Sequence, residues 1–305
     1  MKKLLVYANG LRAIGVLSRL LEEDYQILGV VVPDSGVSRT QITDACDALS
    51  ISCFIEPDVN SDRFQTEWSG KNRPDLGIIC GYPTIFQEPL IRLPLHGTIN
   101  LHAGPLPSYR GGSPLNWQLI HGQTKATVSV LWVTSGIDAG NVLAEQSFPI
   151  KPSDTIRDLH SEADRIFPEL VTDVLKQLAS GEVAGHKQDA AEVCYWHQRG
   201  ERDGEILWHT FTVNDVHNLV RAITHPYPGA YTQLENSTVR VWSTEIPKMM
   251  IRGTPGRICV LDNDGPYVIC KDTAIRLLDY SIEGPEIAIN NGSTFTQKVG
   301  IAVLC

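Results

Sequence analysis

Met1-Lys2-Lys3-Leu4-Leu5-Val6-Tyr7-Ala8, followed at once by Asn9-Gly10, is the stretch on which the reading of this chain turns. Two lysines ahead of an apolar run have the outline of a short secretory leader. Asn9-Gly10 cuts that run after about five residues, short of the roughly 7–15 that the apolar centre of a leader needs. A short apolar run ending on a polar residue and a glycine fits a buried strand that stops at a tight turn. Outward from it, helical patterns cover 11–22 and 40–49, a β-branched run covers 25–32, and strand-like runs recur at 76–80, 98–101 and 128–133. Strands alternating with helices predict a mostly parallel sheet covered on both faces. Ligands of such sheets lie beyond the carboxyl ends of the strands. That directs attention to the loops after Ala8, Cys80, Leu101 and Val133.

The second half reads differently. A long helix is expected over 154–178, capped by Ser153 or Asp154 and ended before Gly181, with Pro168 inside it to kink or split it. Residues 194–204 read as polar and irregular, and a helix is expected over 213–223, stopped by His225-Pro226. From 231 onward, short alternating runs separated by Gly and Pro predict a small β-rich, barrel-like domain. The expected fold is therefore α/β: a Rossmann-like sheet domain over 1–203 and a small C-terminal β-rich domain over 204–305.

A chain of 305 residues, 42% of them hydrophobic, can bury a sizeable core. No apolar run approaches the length of about 20 residues that spans a bilayer, so a cytoplasmic protein without a membrane partner is expected. Seven cysteines, Cys46, Cys53, Cys80, Cys194, Cys259, Cys270 and Cys305, form no Cys-x-x-Cys pair. The odd number and the scatter argue against a disulfide framework and a cysteine-held metal. The net charge is −9 and no basic tract stands out, although an acidic chain can still bind nucleic acid through a local patch.

Three stretches can carry chemistry. Gly10-Leu11-Arg12-Ala13-Ile14-Gly15 lacks the spacing of a dinucleotide fingerprint and the Lys-Ser/Thr of a phosphate loop. It is a strand-to-helix turn, with ligand contact from Asn9 or Arg12 left open. Asn100-Leu101-His102 ends a strand, and the two-residue period puts Asn100 and His102 on one face. Imidazole is the natural general base near neutral pH, and an amide can donate to a developing oxyanion. Ser135-Gly136-Ile137-Asp138-Ala139-Gly140 follows another strand, and Asp138 beside His102 would orient the ring and favour its charged form. Each stretch taken alone also reads as an ordinary strand end or turn.

The combination is more specific. Asn100-Leu101-His102, then Leu106-Pro107-Ser108-Tyr109-Arg110-Gly111-Gly112-Ser113-Pro114 with Trp117 and Gly122, and Ile137-Asp138-Ala139-Gly140 after them, resemble the 10-formyltetrahydrofolate-dependent formyltransferase family. Arg221-Ala222 and His225-Pro226-Tyr227-Pro228-Gly229-Ala230 resemble the C-terminal domain of its two-domain members. The resemblance covers nearly the whole chain. It implies a catalytic triad of Asn100, His102 and Asp138, folate as the formyl carrier and no metal. It implies a folate site near Tyr82, Thr84, Ile85, Phe86, Val133, Ser135 and Gly136, with many contacts from the backbone. It implies an acceptor site that draws on Ser108, Tyr109, Arg110, Gly111 and Gly112, and Asn9 and Arg12 at the first loop are the next candidates for that contact. Arg110 has a second reading, as a residue that pairs locally and holds the loop.

The acceptor amine is the open point. A tRNA acceptor predicts a basic insertion after the second strand, yet residues 33–41 are short and carry a single arginine. Asp262, Asp264, Asp272, Asp279, Glu283 and Glu286 make the last part acidic. The expectation is therefore a nucleotide-linked (UDP- or dTDP-) amino sugar, with folate as the other partner, no nucleic acid and a homodimer left open. Methionyl-tRNA is the alternative acceptor. The intact triad argues against a folate-binding protein without activity, and a deformylase of this kind would carry an added regulatory domain.

Overall fold

The computed structural model describes residues 2–36, 38–182, 185–261, 264–284, 289 and 292–295. Of the acidic and cysteine residues singled out in the sequence, Asp262, Glu286 and Cys305 lie outside the described residues. The chain divides into two compact units, the first Met1–Pro114 with Lys125–Pro149 and His160–His197, the second Leu115–Thr124 with Ile150–Leu159 and Gln198–Cys305.

The elements run β1 (Lys3–Ala8), α1 (Arg12–Glu22), β2 (Gln26–Val32), α2 (Arg39–Ala48), β3 (Cys53–Ile55), α3 (Asp62–Glu67), β4 (Leu76–Cys80), α4 (Glu88–Ile91) and β5 (Thr98–His102). Then come β6 (Arg110–Gly111), α5 (Pro114–Ile120), β7 (Lys125–Trp132), β8 (Val142–Pro149), α6 (Ile156–Ser180), β9 (Tyr195–Trp196) and α7 (Val213–Ile223). The chain continues through β10 (Ala230–Leu234), β11 (Ser237–Glu245), β12 (Ile258–Leu261), β13 (Asp264–Ile269) and β14 (Ala274–Glu283).

The first unit is built on a sheet of order β3-β2-β1-β4-β5-β7-β8. The strands from β3 to β5 are parallel, and β7 and β8 are added antiparallel. Leu4–Ala8 and the whole of β4 are buried. Strands covered on both faces read as unbroken apolar runs, which is why they stand out in the sequence. The chain leaves β1 toward β2 and β3 and returns to β4 on the other side. The carboxyl ends of β1 and β4 thus flank a topological switch point, where the Asn9 N–H donates to the Cys80 carbonyl at 3.1 Å.

Helix α6 continues through Pro168 for 25 residues, so the expected split into two helices does not occur. A proline inside a helix costs about 3 kcal/mol. Burial of Ala163, Phe167, Leu170, Val171, Val174 and Leu175 on one stripe outweighs it. The helix start is held by Thr155, whose N–H and hydroxyl both donate to the Asp158 carboxylate (2.7 and 2.8 Å), rather than by Ser153 or Asp154. The stretch read as irregular contains β9, paired parallel with β6.

The second unit carries an antiparallel sheet of order β10-β11-β14-β13-β12. Helix α7 has the expected bounds and lies against β10, β11 and β14. Thr212 and Asp215 close its first turn as a capping box, with Oδ2 of Asp215 accepting from the Thr212 N–H at 2.8 Å. The segment around His225-Pro226 is a brace: the His225 ring stacks on Trp242 with centroids 4.2 Å apart. Arg221 donates to the carbonyls of Lys151 and Asp154 and to the Asn218 side chain.

Candidate active site

Strand β5 delivers Asn100 and His102 to one face, as the strand period requires. His102 is buried, 5% exposed. Asp138 arrives from the turn after β7, in the left-handed region at φ 47°. Its Oδ1 accepts from Asn100 Nδ2 at 3.2 Å, and its Oδ2 accepts from the Gly111 N–H at 2.9 Å. The same Oδ2 lies 3.5 Å from His102 Nδ1. On the other side of the ring, Nε2 is 2.6 Å from the Tyr109 carbonyl. Both ring nitrogens face acceptors, so a ring with one proton donates to one of them and a ring with two donates to both. One carboxylate therefore gathers an amide and an imidazole from β5 and a main-chain N–H from β6.

The loop after His102 is a fixed structure. Ser129 Oγ sits 2.7 Å from the Gly104 carbonyl and 2.9 Å from Glu145 Oε1, and the Leu106 N–H reaches the same Glu145 oxygen at 3.3 Å. Trp196 donates from Nε1 to the Ser108 carbonyl at 2.9 Å and stacks on the Tyr109 ring, centroids 5.8 Å apart. Gly111 must be glycine: its φ is 97°, and a Cβ there would stand 2.2 Å from the Trp196 carbonyl oxygen. The Gly112 N–H donates to that oxygen at 2.9 Å.

Arg110 is 8% exposed and its donors turn inward. Nε and Nη2 reach Gln188 Oε1 at 3.0 and 2.8 Å, and Nη1 reaches the Tyr195 hydroxyl at 2.9 Å. Of the two sequence readings of Arg110, the loop-holding one describes this geometry, with an amide where a carboxylate was expected. Ser108 is half-buried.

At the end of β4, Tyr82 and Phe86 are buried in an aromatic cluster with Tyr7, and Val133 packs against it. The Tyr82 hydroxyl donates to the Glu56 carbonyl at 3.2 Å, and burial pushes its pKa up to about 12. Thr84, Ser135 and Gly136 are exposed, and so is the apolar Ile85, at 65%. The sheet edge thus presents exposed residues, Thr84, Ile85, Ser135 and Gly136, beside a buried aromatic cluster.

At the end of β1, Asn9 is half-buried. Arg12 donates from Nε to Asp164 Oδ1 at 3.1 Å and lies over the Phe167 ring, 4.8 Å from its centroid. Burial raises the Asp164 carboxyl against the pull of Arg12. Burial, helped by Arg12, holds His160 down at about 4.

The sequence reading missed Gln188, Tyr195 and Trp196. They lie outside the motif and in a segment without periodicity. A tryptophan beside a tyrosine in a polar tract was the only signal.

A mostly parallel α/β sheet that brings an amide and an imidazole at one strand tip against a carboxylate from a neighbouring turn is an arrangement suited to group transfer. Residues 51–175 match the formyl transferase family and residues 200–293 match the formyl transferase C-terminal domain. The chain is 34% identical over 279 residues to a methionyl-tRNA formyltransferase of Geobacter metallireducens, covering 89% of this chain and 88% of that one. The N-formyltransferase of Helicobacter canadensis, solved with folinic acid and dTDP-3-aminofucose, shares the fold with a TM-score of 0.70 over 91% of this chain and 99% of that one, at 15% identity. HypX of Aquifex aeolicus, solved with tetrahydrofolic acid, shares it with a TM-score of 0.62 and 20% identity over 91% of this chain. This chain spans 43% of the HypX chain. The protein belongs to the formyltransferase family and is an N-formyltransferase.

The expected amino-sugar acceptor is corrected by these relatives. Curated proteins 27–34% identical to this chain are named methionyl-tRNA formyltransferase. The charge argument failed for a physical reason. Several of the counted acidic groups are occupied within the second unit: Asp272 accepts from the Val213 N–H at 2.8 Å, Glu283 pairs with Arg240 at 2.7 Å, and Asp264 pairs with Arg276. A count along the sequence treats them as free repulsive charge, which they are not.

Proposed function

We propose that this protein transfers the formyl group of 10-formyltetrahydrofolate to the amino group of methionyl-tRNA in the cytoplasm. The observation that carries the acceptor is the likeness to the Geobacter metallireducens enzyme, which runs over nearly the full length of both chains. The donor set fits the formyl carrier: the transfer needs a hydrogen-bond donor for an oxyanion and a proton carrier, and Asn100 and His102 are of those kinds.

In this reading Asn100, His102 and Asp138 are the catalytic residues. The neutral amine attacks the formyl carbon, a new C–N bond forms and the carbonyl electron pair moves onto oxygen. Asn100 uses one amide hydrogen on Asp138 and offers its second to that oxyanion. The amine's proton passes to His102, or to a water held by Asp138, and is returned to the folate nitrogen as its bond to the formyl carbon breaks. Asp138 keeps the ring of His102 in place through the cycle. The pterin rests on the loop after β4 and the turn after β7. Thr84, Ile85, Val133, Ser135 and Gly136 face it, while Tyr82 and Phe86 form the floor. The acceptor end lies along Ser108–Gly112, where Tyr109, Arg110 and Gly111 shape the loop, with Asn9 on the neighbouring rim and Arg12, tied to Asp164, bracing that rim from behind. The chemistry belongs to 1–203, and 204–305 is the accessory domain.

The test is direct. The protein is incubated with methionine-charged initiator tRNA and 10-formyltetrahydrofolate, and the aminoacyl group is released and weighed. Formylmethionine is the expected product. An unchanged methionine, under conditions in which another amine gains a formyl group, overturns the acceptor and leaves the formyl transfer standing.

A further inference from the structure

Gln188 lies on no motif, yet every polar atom of its side chain is engaged around the candidate site. It is 7% exposed. Its Nε2 donates to two main-chain carbonyls, Asp138 O at 2.8 Å and Gly140 O at 2.7 Å. Its Oε1 accepts from Nε and Nη2 of Arg110 at 3.0 and 2.8 Å. Arg110 adjoins Gly111, whose N–H donates to Asp138 Oδ2 at 2.9 Å. The contacts close a ring: Asp138 backbone, Gln188, Arg110, Gly111, Asp138 carboxylate.

The turn that this ring holds is under constraint. Asp138 is a non-glycine residue at φ 47°, a conformation that persists only where its surroundings over-determine it. Two residues on, a Cβ on Gly140 would stand 1.8 Å from the Trp132 carbonyl oxygen, so the backbone there packs too closely for any side chain. The Gln188 amide ties both sides of this turn to the element that touches the carboxylate. Only an amide can do so at this length: it donates to carbonyls on one side and accepts from a guanidinium on the other. A carboxylate would repel both carbonyls, and an aliphatic chain would leave buried donors and acceptors unpaired.

We propose that Gln188 is a positioning residue for the reaction, acting through Asp138 to hold its carboxylate between Asn100 and His102. The proposal rests on the catalytic reading of Asp138. It predicts a loss in turnover with little change in binding, because the groups that Gln188 holds orient the reacting centre and displacement of an ångström or less there is costly.

The experiment is a double-mutant cycle on formyl transfer, with Gln188→Leu, the isosteric Gln188→Glu, Asp138→Ala and the double variants. Gln188→Leu and Gln188→Glu are expected to lower kcat by about 10- to 100-fold, with KM for folate and for the acceptor changed less than about threefold and thermal melts retained. In the Asp138→Ala background the same substitutions are expected to change kcat by less than about twofold, since the group they act through is gone. Equal fold-losses in both backgrounds, or wild-type kcat in Gln188→Glu, overturn the positioning role. Should Gln188→Leu not fold, Gln188→Glu decides alone. Wild-type turnover in Asp138→Ala strikes the catalytic reading instead, a result distinct from a Gln188 variant without effect beside a crippled Asp138→Ala.

Discussion

The tips of β5 and β1 lie on one edge of one sheet, and both attracted attention in the sequence, yet they are built to different ends. At β5 a carboxylate gathers an amide, a ring nitrogen and an N–H, and the residues behind it are locked by Arg110 and Gln188. At β1 the one strong charge, Arg12, is tied through Nε to Asp164 on α6 and covers Phe167. The first is an arrangement of groups that can exchange protons and hydrogen bonds with a ligand. The second is an arrangement that joins a helix to the sheet edge. Polar residues at the carboxyl end of a parallel sheet are therefore not equivalent, and the partner each one has decides its use.

The contrast is most easily broken by kinetics. Asp138→Ala and His102→Asn are expected to fold and to lower kcat by about a hundredfold or more, whereas Arg12→Ala leaves kcat within about threefold. Single-turnover rates beside thermal melts measure both. An Arg12→Ala rate as low as that of His102→Asn would merge the two tips into one site.

Acid sensitivity of stability comes next, and it belongs to the β1 side. The folded-state value of His160, about 4, lies below the usual value near 6.5 of an unfolded chain. The unfolded state takes up the proton first, so stability is full above about pH 6.5 and falls as pH drops toward 4. Asp164 is raised and works in the opposite sense, gaining stability as it protonates, which confines the clean His160 window to about pH 6.5–5. Urea titrations across it are expected to lose about 2 kcal/mol in the wild type and much less in His160→Gln. An equal slope in both proteins would assign the loss to other groups.

Arg12→Ala should also cost stability in its own right. It leaves Asp164 without its cation, but Asp164 is 38% exposed, so solvent moderates the loss to about 1 kcal/mol. Denaturant midpoints are the check, and a loss above about 3 kcal/mol would show a buried-pair energy that this exposure does not allow.

The smallest effect sharpens the β5 side. Tyr195→Phe removes one hydrogen bond to Arg110 from a residue that is 56% exposed. A change below about 1 kcal/mol in stability and less than about twofold in kcat is expected. A large kcat loss would extend the positioning ring outward to β9.

Legibility followed the range of the interactions. Helix α7 matched its expected bounds because its stop signal, His225-Pro226, lies within a few residues of its end, and the structure adds a local start signal in the Thr212–Asp215 capping box. The central strands were legible because burial on both faces leaves an apolar run with no partner needed to recognise it. The antiparallel addition of β7 and β8 was not, because strand direction is set by connections rather than by composition. β9 is two residues long and has no period to detect. The acidic tract misled the choice of acceptor because its neutralising partners, Arg240 and Arg276, were counted separately from it.

By itself the sequence determined that Asn100 and His102 share a face, since the alternation of side chains along a strand is a property of the backbone. It also determined the alternation of strands and helices along the first half and, through the resemblance, the kind of reaction. Tertiary structure alone decided which atoms meet around those two residues and what supports them. Asp138 is 38 positions from Asn100, and Gln188 is 50 from Asp138 and 78 from Arg110. Contacts at such separations depend on how the sheet and its loops close around the core. Local pattern carries no record of that closure, because hydrogen-bond partners are chosen by distance in space.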